Sequence, residues 1–185
     1  MQAAYTFWII GLPSSGKTTL ASSVCEELGL IHLDSDETRS FLIPNPCFKQ
    51  EETEFVYRSL IFTSNILNNK GHNVIISATA HLKKYRTLAS ATIGNCRNIY
   101  IECPIDVCES RDVKGLYKNS RNGSIKSLPI KIIGKNDDYV KKHYKEVDVY
   151  ELPEQFDLLI NSSILSVEES AILLKEYIKK TLNSV

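Results

Sequence analysis

The sequence predicts an α/β fold with a five-stranded parallel sheet flanked by helices, and three observations carry that expectation. Five short apolar runs rich in β-forming residues recur along the chain, at 7–10, 30–33, 73–77, 98–102 and 157–160. They read as continuous apolar stretches, the mark of strands buried on both faces. Longer segments with helical period or helix punctuation separate them, as in parallel sheets joined by helical crossovers. The length of 185 residues suits a single domain over 1–185.

The run Phe7-Trp8-Ile9-Ile10 forms the first strand and leads into a glycine-rich loop. A helix over 17–28 stops at Gly29, and the second strand follows at 30–33. The next helix, 50–69, ends at Lys70 and Gly71, just before the third strand. The helix over 82–93 ends at Gly94, ahead of the fourth strand at 98–102. Pro104 suits the first turn of a helix running through Cys108 toward Arg111, because its missing N–H would be unpaired there in any case. After the last strand, Val167, Ala171, Leu174 and Ile178 give a closing helix one apolar stripe. The segment 111–150 breaks this rhythm. It is rich in Lys, Asn, Gly and Asp, has only a short helical pattern near 139–144, and carries ten Lys or Arg against five Asp or Glu. It reads as a mobile basic lid suited to an anionic substrate.

Hydrophobic residues at 43% and charged residues at 24% match ordinary soluble proteins and exclude collagen, coiled coil and disorder. Twenty-two basic residues balance 22 acidic ones, so no global field recruits nucleic acid or an anionic membrane. No apolar run approaches the roughly 18–20 residues that span a bilayer, and the start lacks the order of a signal peptide, so the expectation is a cytoplasmic protein. Five cysteines without a CxxC pair read as reduced thiols, and the four histidines, without metal-ligand spacing, as ordinary residues.

The chemistry begins at Gly11-Leu12-Pro13-Ser14-Ser15-Gly16-Lys17-Thr18, which fits G-x-x-x-x-G-K-[ST] between a strand and a helix. The glycines let the backbone curl so that successive N–H groups face phosphate oxygens, and the helix adds the positive end of its dipole. Lys17 holds the β and γ phosphates, and Thr18 offers a hydroxyl to Mg²⁺. The donor is therefore expected to be ATP with Mg²⁺, bound by residues 11–18 and Thr19. The second strand ends in Leu33-Asp34-Ser35-Asp36-Glu37-Thr38-Arg39, with two carboxylates at the sheet edge where such folds place ligands. One carboxylate can order Mg²⁺ while the other accepts a proton from an attacking hydroxyl, and Arg39 can fork onto an anionic acceptor. The plainer reading makes Asp34 or Asp36 a helix cap. The third strand ends at Ser77, where many phosphate-loop proteins carry a metal-binding Asp, so Asp34 becomes the natural metal carboxylate.

With these residues in place the chain resembles the adenylylsulfate (APS) kinase family. GLPSSGKTTLA is similar to that family's phosphate loop, and LDSDETR to its L-D-G-D-x-x-R. CPIDVCESRDVKGLYKNSR matches its lid almost throughout, and LPEQFDLLINSS its ending. The resemblance implies the nucleotide-kinase type of P-loop fold, a homodimer, and transfer of the γ-phosphoryl of ATP to the 3′-hydroxyl of adenosine 5′-phosphosulfate in sulfate assimilation. It makes Asp36 the general base and gives Asp34 and Thr18 to Mg²⁺. Arg111 and Lys114 engage ATP, with Arg111 laid against its adenine, beside Lys17 on the phosphates. The acceptor set is Asp36, Arg39, Phe48 stacking on the base, Arg58, Ser77, Lys126 and Leu128.

The departures from the family pattern lie on the acceptor side. After Phe48 the family's S-x-x-D-R-x-E-N-I-R-R becomes Lys49-Gln50-Glu51-Glu52-Thr53-Glu54-Phe55-Val56-Tyr57-Arg58-Ser59. A nucleotide-binding arginine is thus Thr53, and the second aromatic wall of the adenine site is Leu128. An additional stretch near 132–149 offers Tyr139, Tyr144 and nearby Tyr150 to restack a base, and Lys141, Lys142 and Lys145 to restore charge. Two alternatives follow from these changes: a kinase of another APS-like nucleotide such as cytidine diphosphoramidate, or a nucleotide-binding module without catalysis.

Overall fold

The computed structural model describes residues 3–183. Five parallel strands form the central sheet: β1 (Thr6–Gly11), β2 (Ile31–Asp34), β3 (Val74–Ser77), β4 (Cys96–Glu102) and β7 (Leu158–Asn161), in the order β2-β3-β1-β4-β7. These are the five runs read from the sequence. Alternate residues of β1 feed two cores. Trp8 and Ile10 join Val56, Tyr57 and Leu60 on one face, while Phe7 and Ile9 join Leu20, Val24, Leu174 and Ile178 on the other. Burial on both faces is why the strands read as unbroken apolar runs.

Helix α1 (Lys17–Leu28) and the closing α8 (Val167–Asn183) cover the second face. Helix α3 (Gln50–Asn69) and α4 (Lys83–Ile93) cover the first. On α3 the buried Thr53, Val56, Tyr57, Leu60, Ile61 and Ser64 recur at helical spacing. Of the stripe expected on α8, Ala171, Leu174 and Ile178 are buried, but Val167 is half exposed and faces the cleft described below. The helix expected after Pro104 is α5 (Ile105–Ser110), with Pro104 just outside it.

Two helices have no bounds in the sequence reading: α2 (Ser35–Leu42), implied only by a cap at Asp34 or Asp36, and α6 (Leu116–Arg121). Both are short and have no apolar stripe long enough to betray a period. The segment 111–150 is more regular than the mobile lid expected of it, and the short helix expected near 139–144 is present. After α6 it forms β5 (Pro129–Lys131), α7 (Asp137–His143) and β6 (Asp148–Val149), with β5 and β6 paired in parallel. Tyr117, Ile130, Val140, Tyr144 and Tyr150 bury their side chains in the first core. Tyr139 and Tyr144 donate to Glu109 on α5, which also pairs with Arg121. These tyrosines fasten the segment to the body and stand outside the cleft, so they do not restack a base there. Lys141, Lys142 and Lys145 are exposed, also away from it.

Candidate active site

A cleft of about 770 Å³ opens at the carboxyl ends of β1 to β4. It lies where the connections from β1 and β4 leave toward opposite edges of the sheet, the usual ligand position in open α/β folds. Its donor end is the loop between β1 and α1. A Cβ on Gly11 would lie 2.7 Å from the Ile101 carbonyl oxygen, so β1 and β4 can run together only with glycine there. Gly16, at φ 95°, turns the chain into α1, and no side chain caps that helix. Its first N–H groups are open to an anion.

The loop is braced from three sides. Lys17 Nζ donates to the Leu12 carbonyl at 2.7 Å, Tyr117 Oη to Pro13 at 2.9 Å, and Ser162 Oγ to Ser15 at 3.0 Å. Burial pushes Lys17 down to about 8, against the pull of Asp36 and Asp34. An anion in the loop would restore its charge. Arg111, at the end of α5, donates to the Ser162 carbonyl at 2.9 Å and lines the cleft beside Leu165 and Val167. Ser15 Oγ is buried without a partner.

Asp34 caps a helix, as the plainer reading has it, and its other oxygen turns to the phosphate loop. Its Oδ1 accepts from the backbone N–H groups of Asp36 and Glu37 and so caps α2. Its Oδ2 accepts from Thr18 Oγ1 at 2.8 Å and from Ser77 Oγ at 2.5 Å. β2 and β3 run in register at Asp34 and Ser77, which sets that contact. His32 Nε2 lies 2.8 Å from Ser77 Oγ. Because Ser77 spends its hydrogen on Asp34, His32 must donate to Ser77. Burial opposes the charge of Asp34, but these hydrogen bonds outweigh it and hold its carboxyl below the usual range.

Asp36, on the first turn of α2, meets Lys114 Nζ at 2.5 Å. Its Oδ1 has no hydrogen bond within the described residues. Lys114 and Asp36 both act electrostatically on Lys17, so this pair stands close to the phosphate loop. Arg39 lies 5.2 Å from the centre of the Phe48 ring, donates to Thr53 Oγ1 at 3.2 Å and faces Glu52 at 3.9 Å. Its Nη1 is enclosed without a hydrogen bond. Glu52 accepts from the N–H groups of Cys47 and Phe48 and so fixes the turn that presents the Phe48 ring, where φ is 57°. Leu128, Tyr57, Thr53 and His81 complete this end. Arg58 and Lys126 are exposed and do not line the cleft, so the structure leaves these two expected acceptor residues outside it. His81 was passed over in the sequence because an isolated histidine in a turn carries no spacing signal.

A phosphate loop on a parallel sheet, a carboxylate facing it across one cleft, and a second, aromatic and cationic end define an ATP-dependent phosphotransferase. The adenylylsulphate kinase profile matches residues 3–161, and the chain belongs to that family. It is 36% identical over 132 residues to the adenylyl-sulfate kinase of Rippkaea orientalis, covering 69% of this chain and 73% of that one. Against that of Gloeothece citriformis it is 30% identical over 177 residues, covering 93% and 98%. The solved Mycobacterium tuberculosis APS kinase in complex with AMPPNP and APS superposes with a TM-score of 0.77 at 27% identity, covering 97% of this chain and 99% of that one. A gluconokinase from Sinorhizobium meliloti, at 11% identity and a TM-score of 0.62, shares the fold alone.

Proposed function

We propose that the protein transfers the γ-phosphoryl group of ATP to the 3′-hydroxyl of adenosine 5′-phosphosulfate, releasing ADP and the 3′-phosphorylated product. The observation that carries this reading is the placement of Asp36 between two built ends of one cleft, in a chain of this family. In this reading Lys17 and the open N–H groups of α1 hold the transferring phosphates. Arg111 lies along the adenine of ATP. Arg39 takes the anionic ester of the acceptor, and Phe48 stacks on its base. Asp36 accepts the proton of the attacking hydroxyl, with Lys114 paired to the carboxylate beside it.

Thr18 and Asp34 offer hard oxygen donors side by side at the phosphate end, which suits Mg²⁺ held jointly with a nucleotide. The ion held there would supply charge neutralisation at the transferring phosphates. Asp34 already accepts four hydrogen bonds, so its part is to order the surroundings of the ion. Free thiols at all five cysteines support a reducing, cytoplasmic setting, and no described helix is long and apolar enough to cross a membrane. Phe41 on α2 and Phe55, Phe62 and Ile66 along α3 are exposed apolar side chains, which supports a homodimer covering that surface. The test is incubation with Mg-ATP and adenosine 5′-phosphosulfate, reading ADP release and product mass. A 3′-phosphorylated product is expected. Turnover of cytidine diphosphoramidate with none of adenosine 5′-phosphosulfate would overturn the acceptor assignment.

A further inference from the structure

His81 sits in the turn that follows β3, at the acceptor end of the cleft, and the mechanism above makes no use of it. Its side chain is 6% exposed. Neither ring nitrogen has a hydrogen-bond partner among the described residues, and Nδ1 is fully enclosed. A buried imidazole with nothing to bond costs stability unless a ligand completes it.

The turn around it is held in an unfavourable shape. Ala80 has φ 45°, a region that residues with a side chain rarely adopt. Three hydrogen bonds keep it there. Ala80 N–H donates to Tyr57 Oη at 2.9 Å, Arg86 Nη1 donates to the Ala80 carbonyl at 2.6 Å, and Glu151 N–H donates to the His81 carbonyl at 2.8 Å. The ring itself is fixed edge-on against Tyr85, with centroids 5.5 Å apart, and tilted against Tyr57 at 6.5 Å. Strain sustained by surrounding structure is characteristic of positions that contact ligands.

The surroundings also say what kind of ligand group His81 meets. Burial first, then the cations Arg86, Lys84 and Arg39, push it down to about 4, so the ring is uncharged near neutrality. It therefore offers one donor and one acceptor but no charge for an anion. The anion-binding groups of this end are Arg39 and Lys114. What remains for His81, beside the apolar Leu128 and the rings of Phe48 and Tyr57, is a planar, uncharged group with polar atoms on its edge.

We propose that His81 is a specificity-determining residue that hydrogen-bonds the edge of the acceptor's nucleobase, a role that rests on the acceptor reading given above. His81 then supplies orientation in a pocket where Leu128 replaces a second aromatic wall. Three variants separate this from simple packing. His81→Phe keeps a buried ring and removes the hydrogen bonds, His81→Ala removes both, and His81→Asn keeps a donor and an acceptor. Acceptor affinity is measured with adenosine 5′-phosphosulfate and, as an inhibitor, with ribose 5-phosphosulfate, which has the same anionic ester and no base.

The expected result is a rise of about 3–10-fold in KM for adenosine 5′-phosphosulfate in His81→Phe and His81→Ala, the loss of one neutral hydrogen bond. KM for ATP and inhibition by ribose 5-phosphosulfate should stay unchanged, and His81→Asn should recover most of the loss. Equal losses for the compounds with and without a base, a parallel rise in KM for ATP, or no change in His81→Phe would each overturn the assignment. If wild-type protein fails to phosphorylate adenosine 5′-phosphosulfate, the acceptor reading falls and takes the assignment with it. If wild type succeeds and His81→Phe matches it, only the role of His81 falls.

Discussion

The phosphate-facing part of the donor end comes from one continuous stretch, residues 11–19, braced by Tyr117 and Ser162. The acceptor end draws Arg39 from α2, Phe48 from the connection to α3, Thr53 and Tyr57 from α3, His81 from the turn after β3 and Leu128 from just before β5. The first binds its ligand mainly through backbone N–H groups, whose direction is fixed by a local fold that few sequences can adopt. The second, in the proposed reading, binds through side chains gathered from five places, each replaceable while the scaffold stands. Substrate change within one fold is thus expected at the second end, where this chain departs from its family pattern.

Substitutions at the two ends should sharpen that contrast. Lys17→Ala removes the ammonium that meets the transferring phosphates, and kcat/KM should fall by roughly 10²–10³-fold with any acceptor. Steady-state kinetics with two acceptors would check this, since a loss confined to one acceptor would place Lys17 on the wrong side. Arg39→Ala removes the cation beside Phe48 and leaves Glu52 without its charge partner. KM for the acceptor should rise about 30-fold, from a loss of roughly 2 kcal/mol, while KM for ATP holds. Phe48→Ala removes one stacking face and should raise the same KM by about 3–10-fold, from roughly 1 kcal/mol.

Asp34 ties the two ends together, because the same carboxylate caps α2 and accepts from Thr18. Asp34→Ala should lower the melting temperature by about 2–4 °C through loss of a cap worth roughly 1 kcal/mol. It should also depress kcat, and unchanged turnover in a destabilised variant would reduce Asp34 to a structural role. Lys17 gives the pH dependence. Its folded-state value of about 8 means that the free enzyme loses the phosphate-binding charge as pH rises through that value. A fall in kcat/KM for ATP above about pH 8 is expected, and Lys17→Arg, slower overall, should lack that limb.

The same contrast explains what the sequence disclosed. The sheet was legible because strands buried on both faces must be apolar throughout, as in Phe7 to Ile10 and Val74 to Ile76. The donor end was legible because Gly11, Gly16 and Lys17 answer to backbone geometry at fixed spacing. Asp34 and Ser77 were both noted, but their contact depends on the register of β2 with β3, which no local pattern records. Beyond its short helix, the segment 111–150 showed no sustained pattern because its buried residues, Tyr117, Ile130, Val140 and Tyr150, are scattered among lysines at no single period. Arg58 was drawn into the acceptor site by its family position, yet it lies on the exposed side of α3, next to the buried Tyr57 that does line the cleft. His81 gave no signal at all, since its setting is created by Ala80, Tyr57 and Arg86 in three dimensions.

Asp36 is where the two ends meet, and its task is the central claim. Rapid mixing of wild type and Asp36→Asn with saturating Mg-ATP and adenosine 5′-phosphosulfate would read a single turnover with both substrates bound. A general base predicts a transfer rate about 10²–10⁴-fold lower in Asp36→Asn, with ATP binding intact. Transfer at the wild-type rate in that variant would contradict it.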